Sequence, residues 1–209
     1  MDTMTLTPEG RELSVLLPRP GRHLIGICGA PGAGKSRLAD HLARTYGAAV
    51  VPMDGFHLAD AELARRGILD RKGAPGSFDG WGYAALLARL AARPDHVVMA
   101  PSFERELEQP IAGAIPVPPE TGLVVPEGSY LLLDEEPWPA VRAHLDAVWH
   151  VTTHDRVRLP RLVARHVAFG KPPGDAQAWV ECVDEANAAL VEAARERADL
   201  VLDLTRWRG

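Results

Sequence analysis

Apolar positions along the 209-residue chain fall into two alternating kinds of segment. Short unbroken apolar runs lie at 24–28, 48–51, 96–100, 123–125, 130–133, 147–151 and 200–204; runs of this length read as strands buried on both faces. Longer stretches at 35–46, 80–92, 138–145, 157–169 and 175–198 carry apolar residues at helical spacing, as Leu38, Ala39, Leu42 and Ala43 do in the first of them. Strand and helix in alternation predict an α/β fold: a three-layer arrangement with a mainly parallel sheet and helices on both faces. The region 110–126 is rich in Pro and Gly and is expected to form a hairpin or loop with short strands. Residues 1–21 are expected to pack outside the core sheet, with a short helix near Gly10-Arg11-Glu12-Leu13. The expected organisation is an extension, 1–22, packed on one domain, 23–209.

The turn after the first core strand changes the picture most. Gly29-Ala30-Pro31-Gly32-Ala33-Gly34-Lys35-Ser36 fits G-x-x-x-x-G-K-[ST] without a mismatch, between an apolar run and an amphipathic helix. Strand, glycine loop and helix make the setting of a P-loop, which holds the phosphates of a nucleoside triphosphate. The glycines let backbone N–H groups turn inward around an anion, and the new helix adds its own free N–H groups and dipole. Lys35 is placed to reach the β- and γ-phosphates, and the Ser36 hydroxyl to ligate Mg²⁺. Arg37 opens the helix that follows.

In a parallel sheet, ligands bind beyond the carboxyl ends of the strands. Asp54 follows Val50-Val51-Pro52-Met53 and precedes Gly55. A carboxylate there can take the proton of an acceptor hydroxyl, or equally serve as an Asp-Gly turn. Glu127 ends Leu123-Val124-Val125-Pro126 and is preferred as the acidic partner of the metal; Asp134, after Leu131-Leu132-Leu133, competes for that role. Arg158, Arg161 and Arg165 recur at helical spacing and could close over a triphosphate, or form a solvated basic face. Pro160 suggests that this helix starts or bends there. The turn-rich stretch Arg71–Asp79 reads as a movable loop with Asp79 as N-cap. His57 could touch substrate, and Phe103, Glu104 and Arg105 could line an acceptor pocket or begin a loop.

Composition narrows the class. Apolar residues make up 46% and charged residues 24%, as in ordinary globular domains. With a formal net charge of −5 and no long basic run, a nucleic-acid partner is not expected. Two cysteines, Cys28 and Cys182, give no disulfide framework and fit a reducing cytoplasm. No run suits a membrane span or a signal peptide, so no membrane partner is expected.

These pieces in this order resemble the P-loop kinases of the uridine kinase, bacterial pantothenate kinase and phosphoribulokinase group, from about His23 to Leu204. Met53-Asp54-Gly55-Phe56-His57 looks like the group's catalytic Asp segment. Arg71-Lys72-Gly73-Ala74-Pro75-Gly76-Ser77-Phe78-Asp79 is similar to the Lys-Gly-x-Pro-x-Ser-Tyr-Asp stretch of pantothenate kinase. Pro101-Ser102-Phe103-Glu104-Arg105 resembles the start of the substrate hairpin that leads to Glu127-Gly128, and the 158–165 arginines resemble the lid helix. The chain is most like small bacterial members labelled nucleoside/nucleotide kinase-like, some as fructose transport system kinases. His166 stands where uridine kinase has Asp, and Ser-Phe-Glu-Arg replaces its Tyr-Asp-rich hairpin.

The resemblance implies Asp54 as catalytic base, Glu127 as the acidic metal partner and Arg165 as a lid arginine, with a lid at about 156–172. The expected function is an ATP- and Mg²⁺-dependent kinase acting on a hydroxyl of a small metabolite: a sugar, a nucleoside or a pantothenate-like alcohol. The catalytic set is Lys35, Asp54 and Arg165. The nucleotide set is Gly29, Ala30, Pro31, Gly32, Ala33, Gly34, Lys35, Ser36, Arg37 and Arg161. The acceptor set is Asp54, His57, Lys72, Phe78, Phe103 and Arg105, and the metal set is Ser36 and Glu127. A homodimer is compatible with the sequence. The rival reading is a nucleotide-driven switch without a metabolite acceptor, against which stands the lack of an Asn-Lys-x-Asp guanine-reading segment.

Overall fold

A computed structural model describes residues 3–17 and 21–209; of the expected N-terminal extension, residues 1, 2 and 18–20 lie outside the described residues. The central strand is β2 (His23–Cys28), five of whose six residues are buried. Such a strand needs partners on both edges and cover on both faces. It receives β6 (Leu123–Glu127) on one edge and β7 (Ala147–Thr152) on the other, both parallel. Beyond β6 lies β3 (Ala49–Pro52). Beyond β7 lies β8 (Leu200–Asp203), and then β1 (Thr3–Thr5). Among the described residues this makes a six-stranded parallel sheet in the order β1-β8-β7-β2-β6-β3.

Two apolar clusters cover the two faces. One joins Tyr83, Leu86, Leu87 and Leu90 of α4 (Gly80–Ala91) and Trp138 and Val141 of α5 (Trp138–Arg142) to Leu24, Val124 and Val148 of the sheet. The other joins Leu13 of α1 (Leu13–Leu16) and Leu38, Ala39 and Leu42 of α2 (Lys35–Tyr46) to Ile25, Ile27, Val125 and Val151. Helix α2 ends where Gly47 adopts the left-handed conformation and its N–H caps the Ala43 and Leu42 carbonyls. Helix α4 begins at Asp79, whose side chain accepts from the Gly82 N–H at 2.8 Å. A short helix α3 (Asp60–Arg66) follows the turn after β3.

Five sequence expectations need correction. Residues 3–5 do not pack outside the sheet; they extend it, because β8 presents a free edge and Thr3–Thr5 pair with Val201–Asp203. The 96–100 run belongs to β4 (Val98–Glu104), which among the described residues pairs with antiparallel β5 (Gln109–Val117) in a separate two-stranded hairpin. The run 130–133 is a turn rather than a strand. It is apolar because Tyr130, Leu131 and Leu132 are buried, with the Tyr130 ring against Trp138 at 5.5 Å. The long helix expected at 175–198 is interrupted. It becomes α7 (Pro173–Trp179), a π-turn at Val180–Asp184, α8 (Glu185–Ala193) and a 3-10 turn at Arg195–Arg197. Helix α6 (Asp155–Ala168) runs continuously through Pro160, starting earlier than expected because the His154 side chain caps it by accepting from the Arg156 N–H.

Arg22, which nothing in the sequence singles out, ties these layers together. It is 6% exposed and donates to the carbonyls of Thr121, Pro118, Pro119 and Leu90 at 2.9, 2.7, 2.8 and 3.3 Å. The end of α4 and the β5–β6 connection are thereby fixed to the start of β2. Arg22→Leu leaves these carbonyls without their donor, and we expect it to lower unfolding free energy by about 2–4 kcal/mol. Urea denaturation of both proteins measures this; a loss within error of zero would mean that water replaces the guanidinium freely.

Candidate active site

Beyond the carboxyl ends of β2, β6 and β3 lies a cleft of about 180 Å³. The sheet order explains why chemistry collects there. The Glu127 position at the end of β6 pairs in register with Ile27 of β2 on one side and with Pro52 of β3 on the other. The loop after β2 and the turn after β3 therefore flank one carboxylate.

The glycine loop leaves β2 and enters α2. Its outward carbonyls are held by side chains. Thr153 Oγ1 donates to the Ala33 carbonyl at 2.8 Å, and Arg158 Nη1 to that of Pro31 at 3.3 Å. The Lys35 ammonium bends back to the carbonyls of Gly29 and Ala30 at 2.9 and 3.3 Å. Gly32, at φ 76°, is pressed against α6: a Cβ there would come within 2.7 Å of Leu162 Cγ. Burial lowers the Lys35 pKa, an effect that the nearby Glu127 and Asp54 charges oppose.

Glu127 is buried, and its Oε2 accepts from the Ser36 hydroxyl at 3.4 Å. Burial pushes its carboxyl up to about 7, partly offset by Lys35. Asp134, the rival for this position, lies on the surface in an ion pair with Arg197. Two hard oxygen donors, Ser36 and Glu127, suit Mg²⁺, which keeps several waters and takes few protein ligands.

Asp54 sits in the 3-10 turn Met53–Phe56 that follows β3. Its Oδ2 accepts from Arg105 Nη2 at 3.3 Å. Gly55 permits this turn to meet the hairpin, since a Cβ there would lie 2.5 Å from the Pro101 carbonyl oxygen. His57 Nδ1 lies 2.9 Å from the Asp54 carbonyl oxygen, and its ring packs on Phe78 at 4.1 Å and Phe103 at 4.7 Å. Burial lowers the His57 pKa, so near neutral pH it is an uncharged shelf rather than a cation. Lys72 is already engaged: its ammonium contacts Asp60 Oδ1 at 2.8 Å and the Glu108 carbonyl at 2.6 Å, pinning the hairpin tip to α3. Phe103 supports the site from behind, under His57 and beside Lys72 and Arg105.

The arginines of α6 divide by role. Arg158 is buried and donates to Asp155 at 2.9 Å and Glu185 at 2.7 Å, as well as to the loop carbonyl. With Leu162, also buried, it glues the first half of the helix to the phosphate loop, so Arg158 is a clamp and not a free lid cation. Arg165 lines the cleft. Arg161 is exposed and does not line it. Arg37 is engaged elsewhere, stacked 5.0 Å from the Trp207 ring and donating to the Arg208 carbonyl.

Sequence reasoning missed one whole wall. Trp179, Val183, Asp184 and Asn187 line the cleft from the α7–α8 segment, and Tyr130 closes it by donating to the Gly73 carbonyl at 2.5 Å. Asp184 is buried and lies 2.7 Å from His166 Nε2. The spacing of 179, 183 and 187 was available as a signal; the π-turn that adds Asp184 was not.

No family model matches the chain. A Schizosaccharomyces pombe protein named "putative uridine kinase" is 30% identical over 207 residues, 92% of this chain and 88% of that protein. A pantothenate kinase of Latilactobacillus sakei is 31% identical over 130 residues, 58% of this chain and 41% of that one. Among solved structures, a "putative fructose transport system kinase" from Silicibacter sp. TM1040 superposes with a TM-score of 0.77 at 41% identity, covering 90% of this chain and 94% of that one.

The raised Glu127 value makes a prediction about the protein without ligands. A folded-state pKa of about 7 against an ordinary 4.5 means that folding favours the protonated acid. That contribution is complete below the ordinary value and is lost as pH rises through the folded one. Between about pH 5 and about pH 8, Glu127→Gln should remove a downward slope of up to about 1.4 kcal/mol per pH unit. Urea denaturation across this range measures it; parallel curves for wild type and variant would show that Glu127 titrates normally.

Proposed function

The chain belongs to the P-loop kinases of the uridine kinase and pantothenate kinase group and is a small-molecule kinase, and on that premise we propose that it transfers the γ-phosphoryl group of ATP, with Mg²⁺, to a hydroxyl of a small metabolite held beside Asp54. The observation that carries this reading is the convergence of Lys35, Ser36, Glu127 and Asp54 on one cleft at the strand ends. Phosphoryl transfer asks little covalent chemistry of a protein; it asks for positioning and for charge placed where charge develops.

Each side chain then has a task. Lys35 swings from the carbonyls of Gly29 and Ala30 to the phosphates, while the loop N–H groups cradle them. Ser36 and Glu127 would hold Mg²⁺, which would supply positive charge to offset that of the phosphates. Asp54 orients the acceptor hydroxyl and takes its proton. Arg165 reaches over the cleft from the half of α6 that is not clamped to the loop. The shelf of His57, Phe78 and Phe103 supports the acceptor skeleton and keeps water from the attacking oxygen.

Lys35→Ala should lower transfer from γ-labelled ATP by orders of magnitude. Asp54→Asn should spare ATP affinity, measured by calorimetry, and lower turnover roughly 10²–10⁴-fold. Intact turnover in the Asp54 variant would remove the base from this reading. Loss of ATP affinity along with turnover would instead assign Asp54 to the metal.

A further inference from the structure

The charged groups of the cleft leave one cation with donors to spare. Lys72 is matched by Asp60, and Lys35 faces Glu127. Arg165 has no hydrogen bond or salt bridge among the described residues, but Asp184, which lies 2.7 Å from His166, is the largest charge acting on it. What remains is Arg105 and the carboxylate of Asp54. Arg105 touches Asp54 through one nitrogen at 3.3 Å, and its Nε and Nη1 have no partner among the described residues.

The surroundings of Arg105 hold it in place without saturating it. Its guanidinium carbon lies 5.8 Å from the centre of the Phe103 ring and 5.6 Å from that of Phe169. The first ring belongs to the hairpin and the second to the end of α6, so Arg105 stands where the two meet. Aromatic contact at this range attracts a cation but takes none of its N–H donors. A fork of donors set at a cleft mouth suits a carboxylate or a phosphate monoester, which it can grip with two parallel bonds.

We propose that the acceptor is an anionic alcohol, whose carboxylate or phosphate group is bound by Arg105. The inference rests on the transfer reaction proposed above and adds its substrate class. It also gives the Arg105–Asp54 contact a place in the reaction, since that contact occupies Asp54 Oδ2. An incoming anion replaces Asp54 as the partner of Arg105, and Asp54 is released to the acceptor hydroxyl. Acceptor binding and release of the base are then one event. A neutral alcohol of the same skeleton leaves the pair closed.

The test uses the full chain, γ-labelled ATP, Mg²⁺ and alcohols in matched pairs. Glycerate against glycerol, pantothenate against pantothenol and gluconate against glucitol probe a carboxylate. Glycerol 3-phosphate against glycerol and fructose 6-phosphate against fructose probe a phosphate. In the pair that is used, the anionic member should have a kcat/KM about 10–100-fold higher. Arg105→Gln should abolish that preference by raising the acceptor KM, with the ATP KM unchanged; Arg105→Lys, which keeps the charge and loses the fork, should retain part of it. Arg105 is half exposed, and its change should leave the fold intact. Equal or better use of the neutral member, or a raised ATP KM with the preference retained, overturns the inference while the transfer reaction stands. Transfer to no member of any pair overturns the transfer reaction as proposed, and the inference with it.

Discussion

Glu127 carries an ionisable group in a place where water is scarce, and much of the site follows from that constraint. Its position is dictated by the sheet. As the last residue of the strand between the phosphate-loop strand and the Asp54 strand, it is buried and meets solvent only through the cleft that it lines. Burial alone would keep it protonated. What draws it toward the carboxylate form is Lys35, brought alongside by the loop, and the Ser36 hydroxyl at the first turn of α2. The same burial works on Lys35 in the opposite sense, so each of the two groups supports the charge on the other.

The rest of the molecule holds that pair from two sides. The loop is rigid on its outer side, where Thr153 and Arg158 occupy its carbonyls. Because Arg158 also binds Asp155 and Glu185, the loop, α6 and α8 form one unit. The second half of α6, beyond Leu162, carries Arg165 and Phe169 and lies outside that unit. The hairpin is held differently, by the close approach of Gly55 to Pro101 and by Lys72 at its tip. The phosphate loop and the hairpin are thus anchored by separate contacts, and Arg105 lies where the hairpin meets the end of α6.

The sheet and the phosphate loop were legible in the sequence because both are governed by local rules. Buried parallel strands must be apolar runs, and an anion-cradling turn must be glycine-rich. Helix α2 was read to its ends for the same reason: its apolar positions, the glycine loop before it and Gly47 after it agree. What was illegible depends on tertiary partners. Apolar Tyr130–Leu132 mimicked a strand because burial, not pairing, selects those side chains. Thr3–Thr5 gave no sign of joining the sheet, since an edge strand of three residues is specified by the strand it meets. Arg22 and Arg158 look like surface cations in the sequence, and only the folded chain shows carbonyls and carboxylates gathered around them. Among the site residues, those next to a strand end were found and those on the far helix were not.

That far wall shows how an irregularity can satisfy two demands. The α7–α8 segment must present Trp179, Val183 and Asn187 to the cleft, yet return Ala188 to one apolar cluster and Val191 to the other. In a regular helix Val183 and Asp184 would point about 100° apart; here both line the cleft from within a π-turn. The π-turn widens the helix by one residue there, which is why such turns gather at functional sites. Asp184 then sits buried 2.7 Å from His166, the residue that stands where the uridine kinases resembled by the sequence have Asp. This contact joins the end of α6 to the α7–α8 wall of the cleft, so the irregular turn both lines the cleft and ties its two helical sides together.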